Sequence, residues 1–185
     1  MLLDPAKHHL LCDVDGIIAN AVAGLSEYLW AMHGLVVPAE LIYQHNLAPC
    51  VYKADWSGKI WTDEKGCAQE ILEHCWHVPN FYRMLRPYPL MHRALLIWFD
   101  KGGELDFVTS RAAVQADVEK ADAVARVTTA WLRAYQVLAE DNLGNIAPKP
   151  AVVREIAHGT SKQVVYFEDD PAQVVEAREA IYDVK

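Results

Sequence analysis

The stretch Leu10-Leu11-Cys12-Asp13-Val14-Asp15-Gly16-Ile17-Ile18-Ala19 constrains this chain more than any other. A short apolar run bounded by a turn signal reads as a buried strand. Here the run ends in two carboxylates one residue apart, then a glycine. Both acids therefore fall at the strand's carboxyl end, the edge of an open α/β sheet where ligands bind. Two carboxylates at one strand end repel each other unless a cation or a shared proton compensates. The pair is either a local defect or the centre of a reaction site, and the rest of the sequence decides which.

Beyond Pro89, strand-like and helix-like runs alternate. Leu90 to Lys101 has a helical period, and Leu105 to Thr109 reads as a strand. Ala113 to Tyr135 is a long helix, and Leu143 to Ile146 a short strand candidate. Pro150 to His158 is a helix, Gln163 to Phe167 the last strand, and Ala172 to Ala180 the last helix. Such alternation argues for a parallel sheet covered by helices. Before it, apolar positions at Val22, Leu25, Leu29 and Met32 mark a helix over Ala21 to His33, and Gly66 to Trp76 carries a second helical stripe. A helical stretch of about 65 residues exceeds what a simple βα connection needs. Residues 21–85 are therefore expected to form a cap inserted into a core made of 1–20 and 86–185.

The 185 residues carry a formal charge of −8 and no basic block, which argues against an extended nucleic-acid groove. A small phosphorylated substrate stays possible, since a metal ion and one or two cations can meet its charge. No apolar window is long enough to span a bilayer, and the first residues lack a signal-like apolar region, so a cytoplasmic location is expected. Cys12, Cys50, Cys67 and Cys75 form no Cys-x-x-Cys pair, which points to free thiols in a reducing compartment. A zinc site from Cys50, Cys67, Cys75 and His74 or His77 matches no familiar ligand spacing and is not favoured.

Three strand ends thus bring polar groups to one sheet edge: Asp13 and Asp15, Thr109 and Ser110, and Asp169 and Asp170. Lys149 stands at a helix start. Carboxylates from two strands suit Mg²⁺, a hard cation that takes oxygen ligands. A hydroxyl, backbone amides and a lysine suit phosphate oxygens. Asp-Val-Asp-Gly, Phe-Val-Thr-Ser, Lys149 and Glu-Asp-Asp-Pro, in that order, resemble the four motifs of the haloacid dehalogenase superfamily of phosphohydrolases. The resemblance implies a Rossmann-like, doubly wound parallel sheet with a small helical cap after the first strand. It also implies Asp13 as nucleophile and Asp15 as acid/base. Mg²⁺ would be held by the Asp13 carboxylate, the Asp15 carbonyl and Asp169, with Asp170 or Glu168 as outer support. Phosphate would be bound by Thr109, Ser110 and Lys149.

A narrower resemblance covers Trp76 to Pro89, which is similar to the segment closing the cap of 5′(3′)-deoxyribonucleotidases. It implies a nucleoside monophosphate as substrate, with Tyr82, Phe81 and Trp76, and more loosely Trp56, near the base. Arg111 stands after Thr-Ser as a further phosphate contact or a helix cap. The chain departs from that branch at Asn20-Ala21, where Asp-Phe is usual. Another small phosphate ester is the nearest alternative. The Thr129-x-Trp131-Leu132 pattern also resembles the phosphatase half of polynucleotide kinases, and a non-enzymatic binding module is the alternative from another class.

Overall fold

Strand β1, His8–Cys12, is buried along its whole length and forms the middle of the sheet. The computed structural model describes residues 3–38, 41, 47–55, 58, 60–112, 115, 117–137, 143–144 and 149–182. Within them lie four parallel strands in the order β3-β2-β1-β4, with β2 at Glu104–Val108, β3 at Leu143–Gly144 and β4 at Gln163–Phe167. Side chains alternate across a strand with a period of two. Leu10 and Cys12 accordingly join one core with Phe107, Val124 and Leu132. Leu11 joins Val108, Val152, Val153 and Ala177 on the opposite face. Both faces are covered, as the near-continuous apolar runs require. The fold class is that expected from the sequence: an open α/β sheet wound on both sides.

The register aligns the strand ends. Cys12 pairs with Phe107 on one side and with Phe167 on the other. The Asp13 amide continues the ladder to the Phe167 carbonyl at 2.9 Å. The chain leaves β1 toward β2 and returns on its other side as β4, so the carboxyl end of β1 is the topological switch point. Crevices at such points are where open α/β sheets bind ligands.

Between β1 and β2 run α1 (Ala21–His33), α2 (Ala48–Ala54), α3 (Glu64–Ile71), α4 (Pro79–Met84) and α5 (Pro89–Asp100). The Asn20 side chain caps α1 by accepting from the Ala23 amide, and Gly34 ends it in the left-handed region at φ 64°. The Asn20 that departs from the nucleotidase pattern thus has a local role. The stripe expected over Gly66 to Trp76 begins earlier, because Asp63 caps α3. It ends in a π-helical turn, Leu72–Trp76. Helix α6, Val118–Ala134, starts later than the sequence suggests, because Asp117 is extended and accepts the Lys120 amide as N-cap. Ala113, Ile146 and Trp56 lie outside the described residues. The last helices are α7 (Lys149–Gly159) and α8 (Pro171–Tyr182).

The residues flanking the segment 21–85 are hydrogen-bonded to each other. The Asn20 amide donates to the Arg86 carbonyl and the Tyr88 amide to the Ile18 carbonyl, both at 2.8 Å. Beyond this neck, α4 packs on α6. Leu25, Ile71, Phe81, Tyr82 and Leu85 share one apolar cluster with Leu10, Phe107 and Trp131 of the sheet side. Within residues 21–85, Glu70 accepts from the Trp61 indole at 2.7 Å and from Tyr28 Oη at 3.1 Å, and it pairs with His33.

Candidate active site

Asp13 follows β1 directly and is 4% exposed. The turn after it closes through Ile18 and Ala19 amides that both donate to the Val14 carbonyl. Gly16 is essential to that turn. Its φ is +74°, and a Cβ there would lie 1.9 Å from Asp169 Oδ2. The backbone of the first motif therefore touches the carboxylate of the fourth, a closeness only glycine permits.

Lys149 Nζ lies 2.9 Å from Asp13 Oδ2 and 2.8 Å from Glu168 Oε2. Glu168 also accepts from Tyr166 Oη and, through Oε1, from the Asp170 amide at 3.2 Å. Burial is the largest influence on Asp13 and drives its carboxyl up to about 8. Lys149 opposes this, while Glu168 and Asp15 add to it. Burial also pushes Glu168 upward, but the bonds from Lys149 and Tyr166 outweigh it and hold that group below the ordinary range. Lys149 is raised because Asp13 and Glu168 outweigh its own desolvation.

Carboxylate oxygens of Asp13, Glu168 and Asp169 lie within 4.8 Å of one another, the single such cluster of His, Cys, Asp or Glu among the described residues. All three are hard oxygen donors, and Asp169 is exposed. That set fits a hard divalent cation with part of its coordination open to solvent. The expected metal set of Asp13, Asp15 and Asp169 thus recurs in two side chains, with Glu168 as a third where outer support was expected. The Asp15 carboxylate is engaged elsewhere, which leaves only its carbonyl for the role the resemblance implies. The cysteines are all buried thiols, and Cys67 Sγ donates to the Ala48 carbonyl at 3.7 Å.

Thr109 follows β2 directly and is 6% exposed, and its Oγ1 accepts the Arg111 amide at 3.3 Å. That hydroxyl still has its own proton to donate. Ser110 next to it is half-buried. Thr109, Ser110 and Lys149 therefore come to the same edge as Asp13.

The residues expected around a nucleobase are placed differently. Tyr82 is 2% exposed, and its ring carries the Arg111 guanidinium at 4.5 Å. Its hydroxyl donates to the Trp76 carbonyl at 2.8 Å. Phe81 is buried edge-on against Trp76, with centroids 5.1 Å apart. Arg111, expected at a phosphate or a helix cap, is buried and forks onto Asp15, with Nε 2.8 Å from Oδ2 and Nη2 2.7 Å from Oδ1. Tyr82 and Phe81 are core where an open stacking slot was expected, with the Tyr82 ring under the Arg111 guanidinium and Phe81 against Trp76. Thr128 and Tyr166 join the site without any motif to announce them, and Trp131 joins it from the Thr129-x-Trp131-Leu132 pattern. The only sequence signals of Thr128 and Tyr166 were a place on the buried stripe of α6 and one inside β4.

Comparison with known proteins agrees at the level of the fold. No family model and no curated protein matches the chain. Among solved structures, a haloacid dehalogenase-like family hydrolase from Streptococcus pneumoniae is similar at a TM-score of 0.50 and 12% identity. The match covers 94% of this chain and 80% of that one. A protein provisionally called a beta-phosphoglucomutase from Thermotoga maritima has a TM-score of 0.44 at 17% identity, over 94% and 81% of the two chains. A dehalogenase has 0.47 at 12%, over 98% and 84%. The fold is that of the haloacid dehalogenase-like hydrolases. Among the described residues, no helix is long and apolar enough to cross a membrane.

Proposed function

We propose that this protein is a Mg²⁺-dependent phosphomonoesterase of the haloacid dehalogenase superfamily, acting on a small phosphate ester through a phosphoaspartyl intermediate. The observation that carries the reading is the meeting of Asp13, Thr109, Lys149 and the Glu168–Asp169 pair at the carboxyl ends of β1, β2 and β4. The helices of 21–85 would serve as a cap over that edge.

Asp13, Glu168 and Asp169 would hold the cation, which supplies charge neutralisation for the carboxylates and for the transferring phosphoryl group. Lys149 holds Asp13 by one of its three ammonium donors and Glu168 by another, leaving the third for a phosphate oxygen. Thr109 Oγ1 donates a second bond. An Asp13 oxygen attacks phosphorus, and the phosphorus–ester oxygen bond breaks with its electron pair on the leaving oxygen. Asp15 gives that oxygen a proton, so an alcohol departs and an acyl phosphate remains on Asp13. The Asp15 carboxylate then takes a proton from water as the water oxygen attacks phosphorus. Inorganic phosphate leaves, and the Asp13 carboxylate is restored.

Nucleoside monophosphates are the substrate class that the Trp76–Pro89 resemblance supports, although base contact would fall to residues other than Tyr82. The test is a panel of nucleoside monophosphates, sugar phosphates and aryl phosphates with Mg²⁺ or with chelator. Turnover should need the cation, and Asp13→Asn should abolish it while the circular dichroism spectrum is kept. Activity in a folded Asp13→Asn variant would refute the covalent mechanism. Equal rates on nucleotides and simple aryl phosphates would remove the nucleotide assignment and leave the phosphatase.

A further inference from the structure

The fork between Arg111 and Asp15 is more constrained than an ordinary ion pair. The Arg111 side chain is 1% exposed and that of Asp15 28% exposed, so the guanidinium lies behind the carboxylate, which alone reaches the site. Two aromatic rings flank the guanidinium, Tyr82 at 4.5 Å and Trp131 at 5.9 Å. Nη1 donates to Thr128 Oγ1 at 3.3 Å. The rings are themselves fixed: Tyr82 Oη donates to the Trp76 carbonyl at 2.8 Å, and Trp131 Nε1 to the Leu85 carbonyl at 2.7 Å. Trp76 and Leu85 belong to the insertion, Thr128 and Trp131 to α6. Asp15 is thereby held by a guanidinium clamped between the two parts of the chain.

We propose that Arg111 is a positioning residue that fixes the plane of the Asp15 carboxylate for proton transfer at the ester oxygen, with Thr128 and Tyr82 holding the guanidinium in place. This rests on the reading of Asp15 as acid/base given above. The fork occupies one lone pair on each Asp15 oxygen and leaves a second on each for the transferred proton. A planar fork can hold two oxygens at once, whereas a lysine ammonium is a point charge that leaves the carboxylate free to rotate. Arg111→Lys should therefore keep the charge of the site and lose the alignment.

The readout is leaving-group selectivity in kcat/KM, which reports only the phosphorylation half-reaction. An alkyl ester needs its leaving oxygen protonated, while p-nitrophenolate departs without help. Arg111→Lys should lower kcat/KM for glycerol 2-phosphate by about 100-fold, the lower end of what a positioned acid contributes. The loss for p-nitrophenyl phosphate should stay below about 10-fold. Thr128→Val should change the same ratio in the same direction by a smaller factor. A folded Arg111→Lys variant that loses both esters equally, or neither, overturns the positioning role. Should that variant not fold, an unchanged ratio in both Thr128→Val and Tyr82→Leu overturns it. Failure of the wild-type protein to hydrolyse these esters and every nucleoside monophosphate and sugar phosphate of the panel overturns the phosphatase reading and this inference together, whereas equal losses in the variants overturn this inference alone.

Discussion

Lys149→Met isolates the charge balance around Asp13. The ammonium is 2.9 Å from one buried carboxylate and 2.8 Å from another, and its side chain is 8% exposed. Methionine keeps most of the volume and removes the cation that sits between Asp13 and Glu168. Breaking a buried ion pair from one side costs about 3–5 kcal/mol, because the partner charge is left uncompensated. The cost should be pH-dependent, and its sign follows from Asp13. That group's folded value is about 8 against an ordinary 3.8, so between those limits the folded state binds more protons than the unfolded one. Its contribution to stability is complete below the ordinary value and is lost as pH rises through the folded value. Removing Lys149 takes away an influence that favours the charged form, which deepens that loss. Urea unfolding in chelator should show a deficit of about 3–5 kcal/mol at pH 8 that shrinks at pH 5, where Asp13 can stay neutral. Added Mg²⁺ should recover part of the deficit at pH 8, since anything that binds only the folded state stabilises it. A deficit of equal size at pH 5 and pH 8, insensitive to Mg²⁺, would mean that Lys149 matters for packing and not for charge.

Two further substitutions test other parts of the framework. Gly16→Ala places a Cβ 1.9 Å from Asp169 Oδ2 at a φ of +74°. The backbone strain costs about 1–2 kcal/mol, and the larger effect is displacement of Asp169. The Mg²⁺ concentration for half-maximal activity should rise about 10-fold, equivalent to about 1.4 kcal/mol; an unchanged Mg²⁺ titration would argue against Asp169 as a ligand. Glu70→Ala strips partners from the Trp61 indole and Tyr28 hydroxyl. Unpaired polar groups cost about 1–3 kcal/mol each, so the melting temperature should fall by roughly 4–24 °C for a chain of this size. Burial works against ionised Glu70, yet bonds from His33 and Trp61 hold it below its ordinary value. Its stabilisation is therefore present above that value and lost as pH falls through the folded one. The gap between variant and wild type should close in acid; a gap that persists there would assign it to packing.

The sheet was legible because its strands obey one rule each. β1 and β4 are apolar runs that stop at acids, and β2 stops at Thr109, so their ends and their chemistry are read from the same residues. The helix boundaries that slipped did so at caps. Asp117 starts α6 and Asp63 starts α3, because a single side-chain bond to a backbone amide outweighs the periodicity of the residues before it. Trp76, Phe81 and Tyr82 were read from a resemblance of the Trp76–Pro89 segment, and a resemblance cannot say which side of a ring faces solvent. That is decided by Arg111, whose partner Asp15 lies 96 residues away in sequence. No local pattern could have joined Arg111, Tyr82 and Thr128, since they come from a loop, the insertion and α6.

The repulsion between Asp13 and Asp15 is resolved by separate cations rather than by one shared group. Lys149 faces Asp13 from α7 and ties it to Glu168, while Arg111 faces Asp15 from the loop after β2 and stacks on the Tyr82 ring. Each acid therefore has its own environment, one buried and pushed up to about 8, the other partly exposed and gripped through both oxygens. On the proposed mechanism the two carboxylates act differently, one as nucleophile and one as proton carrier, and such a division calls for a difference in surroundings. Asp13, Asp15, Glu168 and Asp169 carry four negative charges when ionised, and Lys149 and Arg111 return two. The remaining charge of two is that of one divalent cation, and Asp13, Glu168 and Asp169 place their oxygens within 4.8 Å of each other where it would be needed. Neutralising that charge would also bring Asp13 into its ionised, nucleophilic form at neutral pH. The same ion would then both complete the electrostatics of the folded chain and make its reaction possible.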